Sequence, residues 1–372
     1  MTKAAELAKM GEVLTNSQIG GRRNIIINGA MQVAQRGTSF NYTTTDAYSL
    51  DRFRIDVTGG DNSAGAFTLT QAAVTDLPGF TKAMKFDVTT ADTSIAAGEA
   101  LNLSYRIEGQ DLQQLKKGTS EAEKFTISFY VKGTAKTYAL EILDIDNNRM
   151  NHQTFGVTTS WNRVVLTFDG DTTGALDNNN ERSLDLNFWF HAGSTYAGGT
   201  MATGWGTSSG TNANRAAGIG SLYSSTDNEL FITGLQMEVG SQATPFEHRS
   251  FGEELALCQR YFHFSGFPKI IPGQDQADGG LTDYEGQIFS WTLSDNRHAT
   301  SYSFPTTMRS NPTVVMYGPQ DGTSARSTPY SQSTQETVSA YYNESTNGLH
   351  GYFQGGSNTN GQRFFLGADC EL

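Results

Sequence analysis

The sequence predicts an all-β protein: a jelly-roll-like β-sandwich followed by a smaller C-terminal β-sandwich, with a short N-terminal helix. Three observations carry this. Glycine makes up 40 of 372 residues and charged residues only 17%, against usual shares of ~7% and ~25%. The chain holds 22 Phe and 15 Tyr, residue types that fit a pleated, half-buried surface. Short apolar or alternating runs recur along it, separated by turns rich in Gly, Asn, Asp and Ser. The length suffices for two domains, each with its own core.

Residues 1–22 differ from the rest. Leu7, Met10 and Leu14 are spaced i, i+3 and i+7, one helical face, ahead of Gly20-Gly21. Two heptads do not hold a helix alone, so this segment is expected to order only against trimer mates or a larger assembly. Residues 23–249 read as the main sandwich. "NIIINGAM" is a short buried run ended by the turn pair Asn28-Gly29. In "YSLDRFRIDV", Leu50, Phe53 and Ile55 alternate imperfectly with charges, which predicts one solvated face. "AFTLTQA", "ALNLSYRIEG", "KFTISFYVKG", "TYALEILDI", "WNRVVLTF" and "SLDLNFWFHA" follow as strands. Ala192 to Thr226 is a low-complexity loop carrying Tyr196, Trp205 and Tyr223, and "ELFITGLQMEVG" is predicted to close the sandwich by pairing near the first strand.

The chain then changes period. Thr244-Pro245 stops the strand from continuing, and Ser250 with Glu253 forms a capping box. A helical junction over 250–263 is expected to bury Phe251, Leu255 and Cys258, with Glu247-His248-Arg249 as the polar side of a domain junction. Residues 264–372 read as a distal β domain, with strands at "GQIFSWTLS", "TSYSFPT", "PTVVMYG", "TVSAYYNE", "LHGYFQGG" and "QRFFLGADCEL".

The formal charge of −12 repels phosphate, so a nucleic-acid partner is not expected. No run of 18 apolar residues is present and the N-terminus has no apolar signal core, so neither membrane insertion nor Sec export is expected. Cys258 and Cys370 stand far apart and read as reduced, buried thiols. Walker A, His-Glu-x-x-His, Gly-x-Ser-x-Gly and dinucleotide patterns are absent. No catalytic residue and no cofactor are predicted. In "DIDNNRMNHQTF", Asp144, Asp146 and Asn148 fit the first EF-hand positions, but Arg149 and Phe155 replace the required Gly and Glu. The EF-hand is rejected; loop carboxylates leave open a structural calcium of another kind. Sugar rings stack on exposed aromatics, and pockets join such platforms to a few polar groups. Trp205, Tyr284, Trp291, Tyr341, Tyr342 and Tyr352 are therefore the candidate ligand-binding residues. Tyr341 and Tyr342 must face opposite ways in a strand.

"NIIINGAMQVAQRG" with "YSLDRFRI", the central "FTISFYVKG", "TYALEI" and "WNRVVLTF", and "GLQMEVGSQATPFEHRSFGEELALCQRYF" together resemble a tailed-phage fiber family. Its members carry a carbohydrate-binding-module-like sandwich and are common in phages of marine bacteria and cyanobacteria. The ending "FFLGADCEL" resembles the small β tip of many phage fibers, with Cys370 where the family has Ala. The resemblance implies a virion protein, a homotrimer, docked to other virion proteins through its N-terminus. It implies a C-terminal domain that points outward but supplies no glycan; attachment to a host surface glycan or receptor through that distal domain is the reading adopted. It transfers no catalytic residue. A non-receptor head-fiber, decoration or connector protein and a polysaccharide depolymerase are the alternative readings.

Overall fold

A computed structural model describes residues 23–43, 46–58, 65–268, 286–293, 297–318, 324, 326–329, 336–337, 339–354 and 362–372, with Lys3 and Pro272. Leu7, Met10, Leu14 and Tyr284 lie outside the described residues. The chain divides into two units. The first holds Met1–Gln32, Ser39–Tyr48 and Phe53–Arg249; the second holds Val33–Thr38, Ser49–Arg52 and Ser250–Leu372. The sequence pattern assigns 33–38 and 49–52 to the sandwich, whereas their contacts lie with the later unit.

The first unit contains thirteen strands. They are β1 (Ser39–Tyr42), β2 (Ala47–Tyr48), β3 (Phe53–Thr58), β4 (Ala66–Ala73), β5 (Lys82–Thr90), β6 (Ala100–Glu108) and β7 (Phe125–Gly133). After these come β8 (Lys136–Asp144), β9 (Arg149–Val157), β10 (Asn162–Phe168), β11 (Arg182–Ala192), β12 (Gly206–Thr207) and β13 (Glu229–Val239). One sheet runs β1-β4-β5-β13-β7-β10 and the other β12-β9-β8-β11-β6-β3-β2. Period-two burial shows in β3, where Phe53, Ile55 and Val57 are buried and Arg54 and Asp56 only partly so. The core lies between the sheets. Phe86 on β5 meets Phe190 on β11 edge-on at 5.2 Å, and Phe129 on β7 meets Phe155 on β9 at 5.0 Å and Phe188 on β11 at 5.2 Å. Each such ring contributes on the order of 1.5–3 kcal/mol by leaving water.

Four sequence expectations change here. Strand β13 pairs with the first predicted run as expected, but it is central, between β5 and β7, and does not close the sandwich. Its pairing with β5 covers Glu229–Ile232. Beyond Gly234, whose φ of +64° interrupts the ladder, the segment around "NIII" takes over: Ile25 N donates to Met237 O at 3.0 Å and Leu235 N to Gly29 O at 2.9 Å. That segment is buried as expected but is irregular, with Asn28 and Met31 at positive φ. Strands β5 and β9 have no counterpart in the predicted set, because their apolar positions are interrupted by Lys, Asn and His. The Glu247-His248-Arg249 cluster fastens the start of its own unit. Glu247 accepts from Asn24 N at 2.5 Å and Arg23 N at 3.3 Å, and the Arg249 guanidinium donates to Ile26 O at 3.0 Å.

The second unit holds β14 (Phe262–Phe264), β15 (Ile288–Phe289), β16 (Trp291–Thr292), β17 (Arg297–Ser303) and β18 (Thr313–Tyr317). It also holds β19 (Arg326–Pro329), β20 (Glu336–Thr337), β21 (Ser339–Ser345), β22 (Gly348–Gln354) and β23 (Gln362–Asp369). Strand β23 pairs with β14, β15, β18 and β19, while β16-β17-β22-β21 form a separate antiparallel sheet. Met308, Met316, Leu349, Phe364 and Leu366 are central to the core.

The junction helix spans Phe251–Gln259, and Ser250 Oγ accepts from Glu253 N at 3.3 Å as the cap. It buries Glu254 and Cys258, leaves Leu255 half-buried and exposes 48% of Phe251. The expected burial of Phe251 is therefore wrong. Cα–Cβ bonds tilt toward a helix N-terminus, so a first-turn side chain reaches past the helix instead of over its packed face, and the Phe251 ring stacks on Phe267 at 6.4 Å. The segments 33–38 and 49–52 supply this unit with buried charge. Arg36 pairs with Asp369 at 2.9 Å and Glu371 at 3.3 Å, Arg52 also pairs with Glu371, and the two guanidiniums lie over Phe262 and Tyr261.

Candidate glycan-binding face

In the four-stranded sheet, register gathers residues that are far apart in sequence. Trp291 stands opposite Ala299, Ala299 opposite Tyr352, and Tyr352 opposite Tyr341. Directly paired residues share a face. Which face is fixed by burial. His298 and Thr300 on β17 and Leu349 on β22 point inward, while Ser301, His350, Gln354 and Asn343 are exposed. Trp291 is 56% exposed and Tyr352 half-buried, both on the outer side.

Polar rows flank this aromatic row. Arg297 pairs with Gln354, and Ser301 with His350, which in turn stands opposite Asn343. The Arg297 guanidinium is 5.7 Å from the Tyr352 ring centroid. Adjacent strands are about 4.8 Å apart, so the Trp291 and Tyr352 positions sit roughly 10 Å apart with only the Ala299 methyl between them. That makes a shallow apolar floor with an aromatic at each end and hydrogen-bonding side chains along both edges. Such a surface suits an extended polyol that stacks its C–H faces and hydrogen-bonds its hydroxyls. Phe289 and Leu293, two residues to either side of Trp291 in sequence, are also exposed.

The other predicted binding residues are placed differently. Tyr342 falls opposite Gly351, and Gly351 opposite the buried Thr300, so its register row is the inner one. Trp205 packs on Phe125 at 6.4 Å, donates Nε1–H to Asp169 O at 2.7 Å and lies 5.4 Å from Lys117 Nζ. It is a packing residue of the first unit, not part of the aromatic row. The loop that bears it is not free either: Tyr196, Met201, Ala216 and Ile219 cover Trp189. Arg297, His350 and Gln354 carry no aromatic signal, and only strand pairing reveals them.

Cys258 and Cys370 are both free and buried. Burial pushes the Cys258 thiol well above its ordinary pKa, which leaves it protonated and unreactive. His263, stacked on Tyr302 with Nε2 at 2.6 Å from its hydroxyl, is pushed down to about 4 by burial. The loop carboxylates considered for calcium are otherwise engaged. Asp144 holds the Lys117 ammonium at 2.5 Å and accepts from Asn147, and Asp146 accepts from Asp177 N at 2.9 Å. One group of metal-ligating donors occurs among the described residues, in the first unit: Asp92, Glu99 and His191. The buried Glu141 accepts from Arg215 at 2.6 and 2.7 Å, Asn187 at 3.0 Å and Trp189 at 3.2 Å.

No protein-family model matches the chain, and no curated protein matches it. Among solved structures, the enzymatically active domain of tailspike protein 4 of bacteriophage CBA120 matches at 14% identity and TM-score 0.30, over 58% of this chain and 21% of that one. The chain thus spans about a fifth of that tailspike's length. TmCBM61, solved in complex with β-1,4-galactotriose, matches at 11% identity and TM-score 0.31, over 59% and 99%. The CBM22-1-CBM22-2 tandem domain of Paenibacillus barcinonensis Xyn10C matches at 10% identity and TM-score 0.26, over 95% and 99%. These are distant likenesses to β-rich chains, and no site residue is assigned from them.

Proposed function

We propose that this chain is a phage virion fiber protein, homotrimeric and without catalytic activity, that attaches to a host surface glycan through its second unit. The observation that supports the glycan reading is the outward-facing row Trp291–Ala299–Tyr352, with Trp291 exposed and Tyr341 opposite Tyr352 in register. The virion, the trimer and the docking role of residues 1–22 rest on the sequence resemblance. A shallow two-ring platform binds weakly on its own, and three copies per fiber raise the avidity without new contacts.

Fluorescently labelled full-length protein incubated with a panel of marine bacteria and cyanobacteria tests the reading. Saturable binding to particular strains, lost when their surface polysaccharide is stripped, is the expected result. Binding to none of the strains, or binding that survives complete polysaccharide removal, would overturn it. Point variants are better probes than removal of residues 266–372, because that deletion would strip Arg36 and Arg52 of Asp369 and Glu371.

A further inference from the structure

The two acids and one imidazole at the end of the first unit form an arrangement that neither the sandwich core nor the glycan face uses. Asp92 lies two residues beyond β5 and Glu99 immediately before β6. His191 lies near the end of β11, where the register slips between Trp189 and His191. Three chain segments thus deliver one donor each to the same place. His191 Nε2 is 3.5 Å from Glu99 Oε2 and 3.9 Å from Asp92 Oδ2, and all three donor atoms lie within 4.8 Å of one another. The side chains are 0–1% exposed.

Their surroundings hold them in place but leave their inner atoms unmet. Asp92 Oδ1 accepts from Ser94 N at 2.9 Å, Glu99 Oε2 accepts from Ala96 N at 3.0 Å, and His191 Nδ1 bonds Ser221 Oγ at 2.8 Å. Asp92 Oδ2 and His191 Nε2 are fully buried and have no hydrogen-bond partner. The Tyr223 ring packs on the imidazole at 5.0 Å, and its buried hydroxyl is likewise unmatched. Among the described residues, no lysine or arginine pairs with either acid.

Buried carboxylates this close need a compensating positive charge. One proton shared between the acids would bond Asp92 to Glu99 and still leave His191 Nε2, 3.5 and 3.9 Å from the carboxylates, without a hydrogen-bond partner. A divalent cation would engage all three donors and neutralise two carboxylates. Zn–N and Zn–O bonds of about 2.0–2.2 Å in a tetrahedron place neighbouring donors roughly 3.3–3.6 Å apart, which the His191–Glu99 separation of 3.5 Å meets and the His191–Asp92 separation of 3.9 Å exceeds slightly. Calcium takes oxygen donors only, whereas imidazole with carboxylate suits first-row transition ions. The Ser221 bond to the far ring nitrogen is the kind of outer contact that fixes a ligating imidazole.

We propose that Asp92, Glu99 and His191 bind a structural Zn²⁺-class ion that ties the end of β5, the start of β6 and the end of β11 together. The test uses full-length protein stripped with a chelator and dialysed against ZnCl₂ or CaCl₂ in parallel. Metal content by mass spectrometry should reach about one zinc per chain, since three donors converging on one point hold a single ion. Zinc and not calcium should raise the melting temperature. Asp92→Asn, close in shape to the parent, should lose both effects. Should that variant fail to fold, cobalt loading of the parent protein still decides, by an intense tetrahedral d–d spectrum. Zinc content near zero in the loaded parent, equal zinc in parent and a folded Asp92→Asn, stabilisation by calcium alone, or an octahedral cobalt spectrum would each overturn the proposal.

Discussion

Trp291 and Tyr352 flank Ala299 in a single register row, on the side of the four-stranded sheet where Ser301, His350 and Gln354 are also exposed. Sixty-one residues separate the two aromatics in sequence, and strand pairing alone makes them neighbours. Core packing would bury a tryptophan here; 56% of Trp291 is instead left in water. Phe289 and Leu293, two residues before and after it, are exposed as well, and adjoining exposed apolar residues are the kind of surface that contacts a ligand or partner.

Glu371 holds the second unit's earlier segments. Its side chain is 3% exposed, that of Arg52 1% and that of Arg36 11%. Glu371→Ala leaves a buried guanidinium without its carboxylate and should cost about 3–5 kcal/mol in urea unfolding. Lys85→Ala, which removes half-exposed pairs to Asp87 and Glu229, should cost less than about 1 kcal/mol. Equal costs would show that the C-terminal cluster is not a buried network.

His263 predicts an acid-sensitive second unit. Its folded pKa of about 4 lies below the ordinary 6.5 because burial disfavours the cation, so the unfolded chain binds more protons in between. Its contribution to stability is complete above pH 6.5 and falls away as pH drops toward 4. The loss is on the order of 3 kcal/mol. Melting curves of the parent and His263→Gln between pH 7 and 4 should converge as pH falls. Parallel curves would contradict the assignment.

Phe251→Asp should leave each folded chain nearly as stable as before, within about 1 kcal/mol, because the ring is half exposed. Any larger consequence must come from contact with another chain. Light scattering beside melting curves separates the two. A marked drop in melting temperature with unchanged mass would return Phe251 to the core.

The all-β class and most long strands were legible because apolar alternation and turn residues are local signals. β5 and β9 were not, since "KAMKFDVTT" and "RMNHQTFGV" interleave charged and amide residues with the buried ones. The central place of β13 depends on long-range pairing and on the break at Gly234. Aromatic type pointed to Trp291, Tyr341 and Tyr352, but equally to Trp205, whose packing against Phe125 only the fold decides. Arg36 and Arg52 gave no hint of their partners, which lie more than 300 residues later.

Binding of the full-length chain to an array of bacterial surface polysaccharides, with the parent compared with a folded Trp291→Ala/Tyr352→Ala double variant, tests the glycan face most directly. The parent should recognise a subset of the glycans. The double variant should bind that subset at least about tenfold more weakly, a loss of ~1.4 kcal/mol or more. Unchanged binding by the double variant, or no binding by the parent, would contradict the account.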